Sequence, residues 1–264
     1  MDSPIKYRER EAQAFYEVLD QVVAAEEAEF ASFWPVEHHF RPGSSHSSAP
    51  EVFCGAVSQR TSKIRIGHGV VLLPFPYNHP VRIAERIATI EILSHGRVEM
   101  GTGRSITPQE LGGFGIPYNE TRARWEESLD IITTIWKSKD GTFSYKGKYF
   151  DIPERNVIPM PIQKLHSSIW VACISKETHV VAGKKGLSLL PFTLLVVPEE
   201  LRRRVHMYRE TLKEAEPPGT FINNKAGVFS LVHRADKDKR ACEKGDRASM
   251  SYVAATLQFT APVL

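Results

Sequence analysis

The sequence has few of the features that mark secreted, membrane-bound or disulfide-stabilised proteins. It contains 3 cysteines in 264 residues, and Cys54, Cys173 and Cys242 are too few and too dispersed for a disulfide framework. No segment approaches the roughly 20 consecutive apolar residues of a transmembrane helix, and the polar N-terminus does not resemble a signal peptide. These absences predict a protein of the reducing cytoplasm with no membrane partner.

An excess of charge of one sign is also lacking. The 34 basic and 31 acidic residues leave a formal net charge of +3, and no basic run is interleaved with aromatic residues as in many nucleic-acid-binding surfaces. Metal-ligand spacing is absent beyond the adjacent His38 and His39, which would point to opposite sides of a strand. We therefore expect neither nucleic acid nor a metal ion as a ligand. The 42% of hydrophobic residues can bury a sizeable core, and we interpret residues 1–264 as a single α/β domain.

The clearest structural pattern lies in the segment 64–104. Residues Ile64–Leu73 begin with alternating apolar positions and end in a continuous apolar run, which is typical of a strand buried on both faces. Pro80 is well placed as the first residue of a helix, and Arg97–Arg104 predicts a second strand that ends in a glycine-rich loop. A strand–helix–strand unit of this length implies parallel strands and a right-handed crossover.

Strands and helices alternate along the rest of the chain as well. The periodicity predicts helices at 11–29, 50–59, 80–93, from Asn119 or Thr121 onward, 175–183, 198–212 and 236–253. It predicts strands at 30–36, 64–73, 97–104, 168–174, 186–192 and 226–233. Residues 142–152 predict an inserted hairpin, and 105–117 a loop. This alternation favours a (β/α)8 TIM barrel, of which about six strands are recognisable.

Functional residues of a parallel barrel lie at the C-terminal ends of its strands. The predicted strands deliver Glu37-His38-His39, His68-Gly69-Val70 and Thr102-Gly103-Arg104, and the next helix starts at Ser175–Thr178. Each feature alone has an ordinary structural explanation, as a hydrogen-bonded histidine, a solvated arginine or a helix cap. If they converge, the guanidinium and the helix start would form an anion site of the kind that a nucleotide-like cofactor requires.

Four motifs together resemble the bacterial luciferase-like family of flavin-dependent monooxygenases. They are Glu37-His38-His39 within residues 34–40, then residues 66–74, 79–85 and 96–104, and the resemblance covers residues 11–215. It implies a (β/α)8 barrel that binds reduced FMN, or F420 in some branches, and forms homodimers through the helices at 50–59 and 80–93. The implied reaction oxygenates a small organic substrate, such as an aldehyde or ketone, with O₂, and a separate flavin reductase would supply the reduced flavin.

The resemblance also implies roles for residues near the flavin ring. His38 matches a family histidine that supports the chemistry with oxygen. Gly69-Val70 matches a bulge that in relatives contains a non-proline cis peptide bond beneath the ring. Gly103 falls where some members carry a cysteine beside the reactive carbon.

A second set of residues is implied to hold the flavin phosphate. Arg104 and Arg122 match the family arginines that bind this group, and Ser175 and Thr178 match the helix-start groups. Cys173-Ile174 stands where relatives carry small polar residues, which weakens this part of the resemblance.

The sequence departs from the family at both ends. Relatives begin with an apolar strand, whereas residues 1–10 are polar, and the eighth strand with its helix is not recognisable, so we expect an incomplete barrel without its first and last strands. Glu29 also stands where relatives usually have a helix-ending glycine.

Three functional interpretations remain open. A flavin-dependent monooxygenase is favoured because every central motif is retained. A non-catalytic flavin-binding relative with an incomplete barrel is the second. A metal-dependent barrel hydrolase using His38, His39 and His68 is the third and least favoured, because no set of carboxylates and histidines completes a ligand shell.

Overall fold

A parallel sheet flanked by helices forms the centre of the fold. The computed structural model describes residues 4–42, 45–105, 107–193 and 196–260. Its helices are α1 (Pro4–Glu27), α2 (Pro50–Arg60), α3 (Pro80–Leu93), α4 (Pro108–Gly113), α5 (Thr121–Lys137), α6 (Lys176–Lys184), α7 (Pro198–Leu212) and α8 (Asp238–Thr260). Its strands are β1 (Ser32–Phe33), β2 (Arg65–Gly67), β3 (Val71–Leu72), β4 (Val98–Gly103), β5 (Thr142–Lys146), β6 (Asp151–Asn156), β7 (Ser168–Cys173) and β8 (Ser188–Pro191).

The sheet has the order β1-β2-β4-β7-β8, with β3 paired to the C-terminal half of β4, and each of these pairs is parallel. Since β2 and β3 follow one another along β4, the described strands occupy five positions of an eight-position barrel. The prediction of an incomplete TIM barrel is therefore confirmed. The hairpin β5–β6 forms a separate antiparallel sheet, also as predicted.

The predicted strand Ile64–Leu73 is wrong as a continuous element. Up to Gly69 the chain keeps the alternating hydrogen bonds of a central parallel strand, since the His68 N–H donates to the Glu99 carbonyl and the Gly69 N–H to the Pro35 carbonyl. The register against β4 then shifts by one residue, because Gly67 lies opposite Glu99 but Val71 lies opposite Thr102. The Gly69–Val70 peptide bond is cis. The interruption is therefore a one-residue irregularity in the pairing with β4, which apolar periodicity does not reveal.

Two other predictions for loops and strands are wrong. The segment 105–117, predicted as a loop, contains α4, which begins at Pro108 and buries Glu110 and Leu111. The predicted strand Ala226–His233 is reduced to one parallel bridge between Ala226 and Leu189. The chain follows β8 only as far as Phe229, whose N–H donates to the Pro191 carbonyl at 3.4 Å, and Val232 beyond it is 87% exposed.

Most helix predictions are confirmed with small changes at the ends. Helices α2, α3, α6 and α7 begin and end within a few residues of the predicted limits, whereas α1 starts at Pro4 instead of Glu11. Helix α5 begins at Thr121 after Glu120, which makes no side-chain cap, so neither predicted capping residue acts as one. Residues 1–3, part of the segment predicted to lack a strand, lie outside the described residues.

Two charged side chains connect the helices to the sheet. The buried guanidinium of Arg97, at the start of β4, donates to the carbonyl oxygens of Ser58, Thr61 and Ile64 and so joins the end of α2 to the start of β2. The Glu26 carboxylate accepts the backbone N–H groups of residues 62–64. Burial opposes its ionisation, but these hydrogen bonds dominate and lower the pKa of Glu26 to about 2.

No helix within the described part of the chain combines the length and the apolar character needed to cross a membrane.

The end of α1 provides a test of backbone strain. Glu29 has φ of 63°, while Phe30 N–H donates to the Ala25 carbonyl and Glu29 N–H to the Glu26 carbonyl, a pattern in which glycine is usual at the left-handed position. We predict that Glu29→Gly raises the free energy of unfolding by about 1 kcal/mol, because it removes the Cβ penalty.

Urea unfolding followed by circular dichroism measures this effect. The matched variant Glu27→Gly changes the last residue of α1 and should lower stability by about 0.5–1 kcal/mol, since glycine is unfavourable in a helix. If Glu29→Gly instead lowers the free energy of unfolding, the Glu29 side chain contributes more stability than its left-handed backbone conformation costs.

Candidate functional site

A cavity of about 380 Å³ opens at the C-terminal ends of the parallel strands. This volume lies in the range of small-molecule sites, about 300–1,000 Å³. The eight residues for which the resemblance implied a role at the flavin line this cavity: His38, Gly69, Val70, Gly103, Arg104, Arg122, Ser175 and Thr178. The structure thus brings them together, while their roles in binding and catalysis stay predictions.

One corner of the cavity is built from cations and hydroxyl groups. Arg104 follows β4 and donates through Nη1 to the Thr121 hydroxyl at 3.3 Å, which connects it to the start of α5. Ser175 caps α6, and its Oγ accepts the Thr178 N–H at 3.3 Å and lies 3.0 Å from the Thr178 hydroxyl. Burial lowers the pKa of Arg104, and the nearby charge of Arg122 lowers it further. Because the two guanidinium groups repel each other, an anion between them would be stabilised.

The same corner contains an acidic residue that the sequence analysis missed. Glu177 lines the cavity, and its Oε1 lies 2.9 Å from Nη1 of Arg122. Glu177 lies inside the predicted helix-start segment Ser175–Thr178, which was a sign of its place near the site. This sign is weak, because acidic residues are common in a first helical turn, where they interact favourably with the helix dipole. Only the structure shows that its carboxylate meets a cavity arginine.

The rest of the cavity lining is largely apolar. The cis Gly69–Val70 peptide agrees with what the resemblance implied for this position. A Cβ atom at Gly103 would overlap the Val70 side chain, so a larger residue there requires Val70 to move. Further apolar wall is contributed by Leu72, Trp125, Val171, Ala172 and Val181. These surfaces suit a flat, largely apolar ring system.

His38 is held by a buried carboxylate from α4. Its Nδ1 lies 2.9 Å from Oε1 of Glu110, which is 1% exposed and also accepts the His39 N–H and the Ser105 hydroxyl. The Arg41 guanidinium makes a longer contact of 3.3 Å with the same nitrogen. Burial raises the pKa of Glu110, but hydrogen bonds from His38 and His39 outweigh it and bring the pKa below its ordinary value. Glu110 was not among the predicted site residues, because the sequence pattern of the segment 105–117 predicts a loop.

His39 meets a second buried carboxylate, so the two histidines have different partners, although neither lies in a strand because β1 ends at Phe33. Its Nε2 lies 3.0 Å from Oε1 of Glu37, whose other oxygen accepts the Leu72 N–H at 2.8 Å. The Asn78 amide also donates to Glu37 at 3.0 Å. The hydrogen bond to Glu37 raises the pKa of His39, although burial opposes the shift.

His68 does not belong to the cavity, contrary to its place among the predicted strand-end candidates. It is 1% exposed, and neither ring nitrogen has a hydrogen-bond partner among the described residues. Burial lowers the pKa of His68 to about 4. Across the described ranges, no three or more histidine, cysteine, aspartate or glutamate side chains are arranged to hold a metal ion.

Comparison with known sequences gives a consistent family assignment. A profile of luciferase-like monooxygenases matches residues 4–261. An uncharacterized protein of Sinorhizobium fredii, y4wF, is 32% identical over 221 residues, covering 84% of this chain and 61% of that protein. Limonene 1,2-monooxygenase of Rhodococcus erythropolis is 30% identical over 67% of this chain and 44% of its own length. An F420-dependent glucose-6-phosphate dehydrogenase of Amycolatopsis mediterranei is 30% identical over 64% and 51%, so the chain spans about half the length of these relatives.

Solved structures show the same fold. Monooxygenase RslO1 from Streptomyces bottropensis superposes with a TM-score of 0.84 at 26% identity, covering 95% of this chain and 75% of that one. The oxygenating constituent of 3,6-diketocamphane monooxygenase from Pseudomonas putida, solved in complex with FMN, gives 0.74 at 24% identity, with 88% and 66% covered. At 24% identity, the similarity to the Pseudomonas putida protein shows a shared fold and nothing more.

The pair of His39 and Glu37 predicts a pH dependence of stability. Because folding raises the pKa of His39, protonated His39 stabilises the folded state fully below its ordinary value of 6.5, and this contribution is lost as pH rises through the raised folded value. We predict that His39→Gln removes this part of the decline in unfolding free energy above pH 6.5.

Urea unfolding at a series of pH values measures the difference between the wild type and the variant. His206→Gln, which removes an exposed histidine on α7, is the matched control and should leave the slope unchanged. Equal slopes for the wild type and His39→Gln would mean that the ion pair does not contribute to folding.

Proposed function

The chain belongs to the luciferase-like monooxygenase family, and we propose that its cavity binds reduced FMN and directs O₂ to a small organic substrate of the aldehyde or ketone type. The observation that carries the proposal is the convergence of Arg104, Arg122 and the start of α6 at one end of a largely apolar cavity. These groups come from three separate segments of the chain, so their meeting is a property of the fold.

The chemistry of the cavity fits a flavin mononucleotide. Two guanidinium groups, the hydroxyls of Ser175 and Thr178 and the backbone N–H groups of a helix start are suited to a phosphate dianion. The apolar wall formed by Val70, Leu72 and neighbouring side chains is suited to the flavin ring. F420 also carries a phosphate and is the alternative cofactor, supported by the F420-dependent relative of Amycolatopsis mediterranei. We favour FMN because the profile that matches the chain is of monooxygenases and limonene 1,2-monooxygenase is among its relatives, an activity for which the sequence resemblance implies FMN.

Reduced FMN, when bound, supplies the electrons for the activation of O₂. The residues of the chain provide the surroundings for that chemistry. Arg104 and Arg122 would hold the phosphate and so fix the position of the ring, while Val70 and Leu72 would exclude water from the reacting atoms. His38 would be the catalytic residue, since its contact with Glu110 through Nδ1 leaves Nε2 to exchange a proton with the substrate.

The proposal includes partners. A monooxygenase of this kind consumes reduced flavin, so a separate flavin reductase would supply it, and the solved neighbour is itself named an oxygenating constituent. We also propose a homodimer through α2 and α3, whose exposed apolar side chains include Val52, Ile92 and Leu93. The proposed compartment is the cytoplasm.

A second candidate is a flavin-binding relative without catalysis, and the five barrel positions formed by the described strands favour it. The metal-dependent hydrolase has lost its support, because His68 does not line the cavity with His38.

The two candidates are separated by a single-turnover experiment. The protein is loaded with photoreduced FMN and mixed with O₂ and a model ketone or aldehyde, and the oxygenated product is measured together with flavin oxidation. Product formed by the wild type and lost in His38→Ala supports the monooxygenase. Tight FMN binding with no product from a panel of carbonyl substrates supports the binder, and binding of F420 alone would overturn the choice of FMN.

Arg104 tests the phosphate site directly. We predict that Arg104→Ala weakens FMN binding by about 1.5–3 kcal/mol, because a charge-assisted hydrogen bond to the phosphate is lost. Quenching of flavin fluorescence in a titration measures the affinity. Arg209→Ala, an exposed arginine on α7 outside the cavity lining, is the control and should bind FMN as the wild type does. Unchanged affinity in Arg104→Ala would place the phosphate elsewhere.

Glu110 is proposed as a positioning residue for His38. We predict that Glu110→Gln leaves FMN affinity within about twofold but lowers kcat by about tenfold, because the ring of His38 loses the carboxylate that fixes its orientation. Steady-state rates and the FMN titration measure the two effects, and Glu110→Asp, which keeps a carboxylate, should recover part of the lost rate. Equal losses of rate and of FMN affinity in both variants would indicate a purely structural role for Glu110.

A further inference from the structure

Glu177 is the acidic residue in the cationic corner of the cavity. Its carboxylate forms an ion pair with Arg122 at 2.9 Å, and the two side chains are 70% and 31% exposed, respectively. It lies between Ser175 and Thr178, so it faces the same space as the groups proposed to hold the phosphate. A negative charge in this position opposes the binding of a second anion.

Arg104 and Arg122, the two arginines of this corner, have different partners. Within the described residues, Arg104 forms no ion pair and donates to the neutral Thr121 hydroxyl, whereas Arg122 has the carboxylate of Glu177. The Glu177 carboxylate therefore neutralises the charge of Arg122, as a phosphate oxygen would, and it is exposed to solvent. An exposed ion pair is weak, so it can be broken by a stronger anion.

Resting on the proposed flavin function, we propose that Glu177 competes with the cofactor phosphate for Arg122 and sets how strongly the protein prefers FMN over its unphosphorylated form, riboflavin. Binding of FMN displaces the carboxylate from Arg122 into water, and the remaining repulsion between carboxylate and phosphate weakens the complex. The phosphate consequently contributes less to affinity than two arginines would otherwise provide. This arrangement suits a flavin that arrives reduced, reacts and leaves, instead of one held permanently.

Riboflavin provides the test, because it shares the ring and ribityl chain of FMN and lacks the phosphate. Dissociation constants for both flavins are measured by fluorescence titration with the wild type and with Glu177→Gln, which keeps the size of the side chain and removes its charge. We expect Glu177→Gln to bind FMN about threefold to tenfold more tightly and riboflavin within about twofold of the wild type. Its affinity for FMN should also fall more steeply with added salt, since the corner has gained net positive charge.

The matched control is Glu154→Gln, which removes the same charge from an exposed position on β6 outside the cavity lining. Unchanged binding by this variant, with tighter FMN binding by Glu177→Gln, supports the competition. An equal gain in both variants would show a general charge effect and overturn it, as would FMN affinity that is unchanged or weaker in Glu177→Gln, or an equal gain for both flavins. If neither flavin binds the wild type or the variant, the flavin proposal fails and this inference fails with it.

Discussion

Parallel pairing of β1, β2, β4, β7 and β8 brings the carboxyl ends of all these strands to one rim of the sheet. Much of the candidate site depends on this constraint, because Glu37 and His38 follow β1, Arg104 follows β4, and Ser175 follows β7. The helices are packed behind the strands, so the rim is the place where side chains from distant parts of the sequence share one cavity. The pairing of the strands thereby determines which strand-end side chains share the cavity.

Two buried carboxylates organise the histidine side of this rim. Glu110 and Glu37 lie on either side of the His38-His39 pair, and each accepts backbone N–H groups as well as facing an imidazole. Hydrogen bonds from the backbone stabilise the charged form of a buried carboxylate without requiring a cation. Glu110 can therefore remain ionised beside the cavity, and the two acids hold the two rings through separate hydrogen bonds.

The cationic side of the rim is organised differently, by exposed and weak interactions. Arg122 and Glu177 are both partly in solvent, and Ser175 and Thr178 are bonded to each other at the start of α6. Such contacts can be exchanged for a ligand at small cost. A firmly held histidine side and an exchangeable cationic side are what a protein needs if its cofactor is to come and go while the reacting groups stay in place.

The sequence alone determined most of the helices, the parallel character of the sheet and the set of residues at the strand ends. These follow from local chemistry: apolar periodicity, proline at helix starts, and the rule that parallel strands share one functional rim. The interruption of Ile64–Leu73, the reduction of Ala226–His233 to a bridge, and the partners of His38 and Arg122 were decided by the tertiary structure. Their physical reason is common to all of them. Each depends on which backbone or side-chain group from a distant segment arrives within hydrogen-bonding distance, as Glu110 does for a histidine 72 positions away, and no local pattern contains that information.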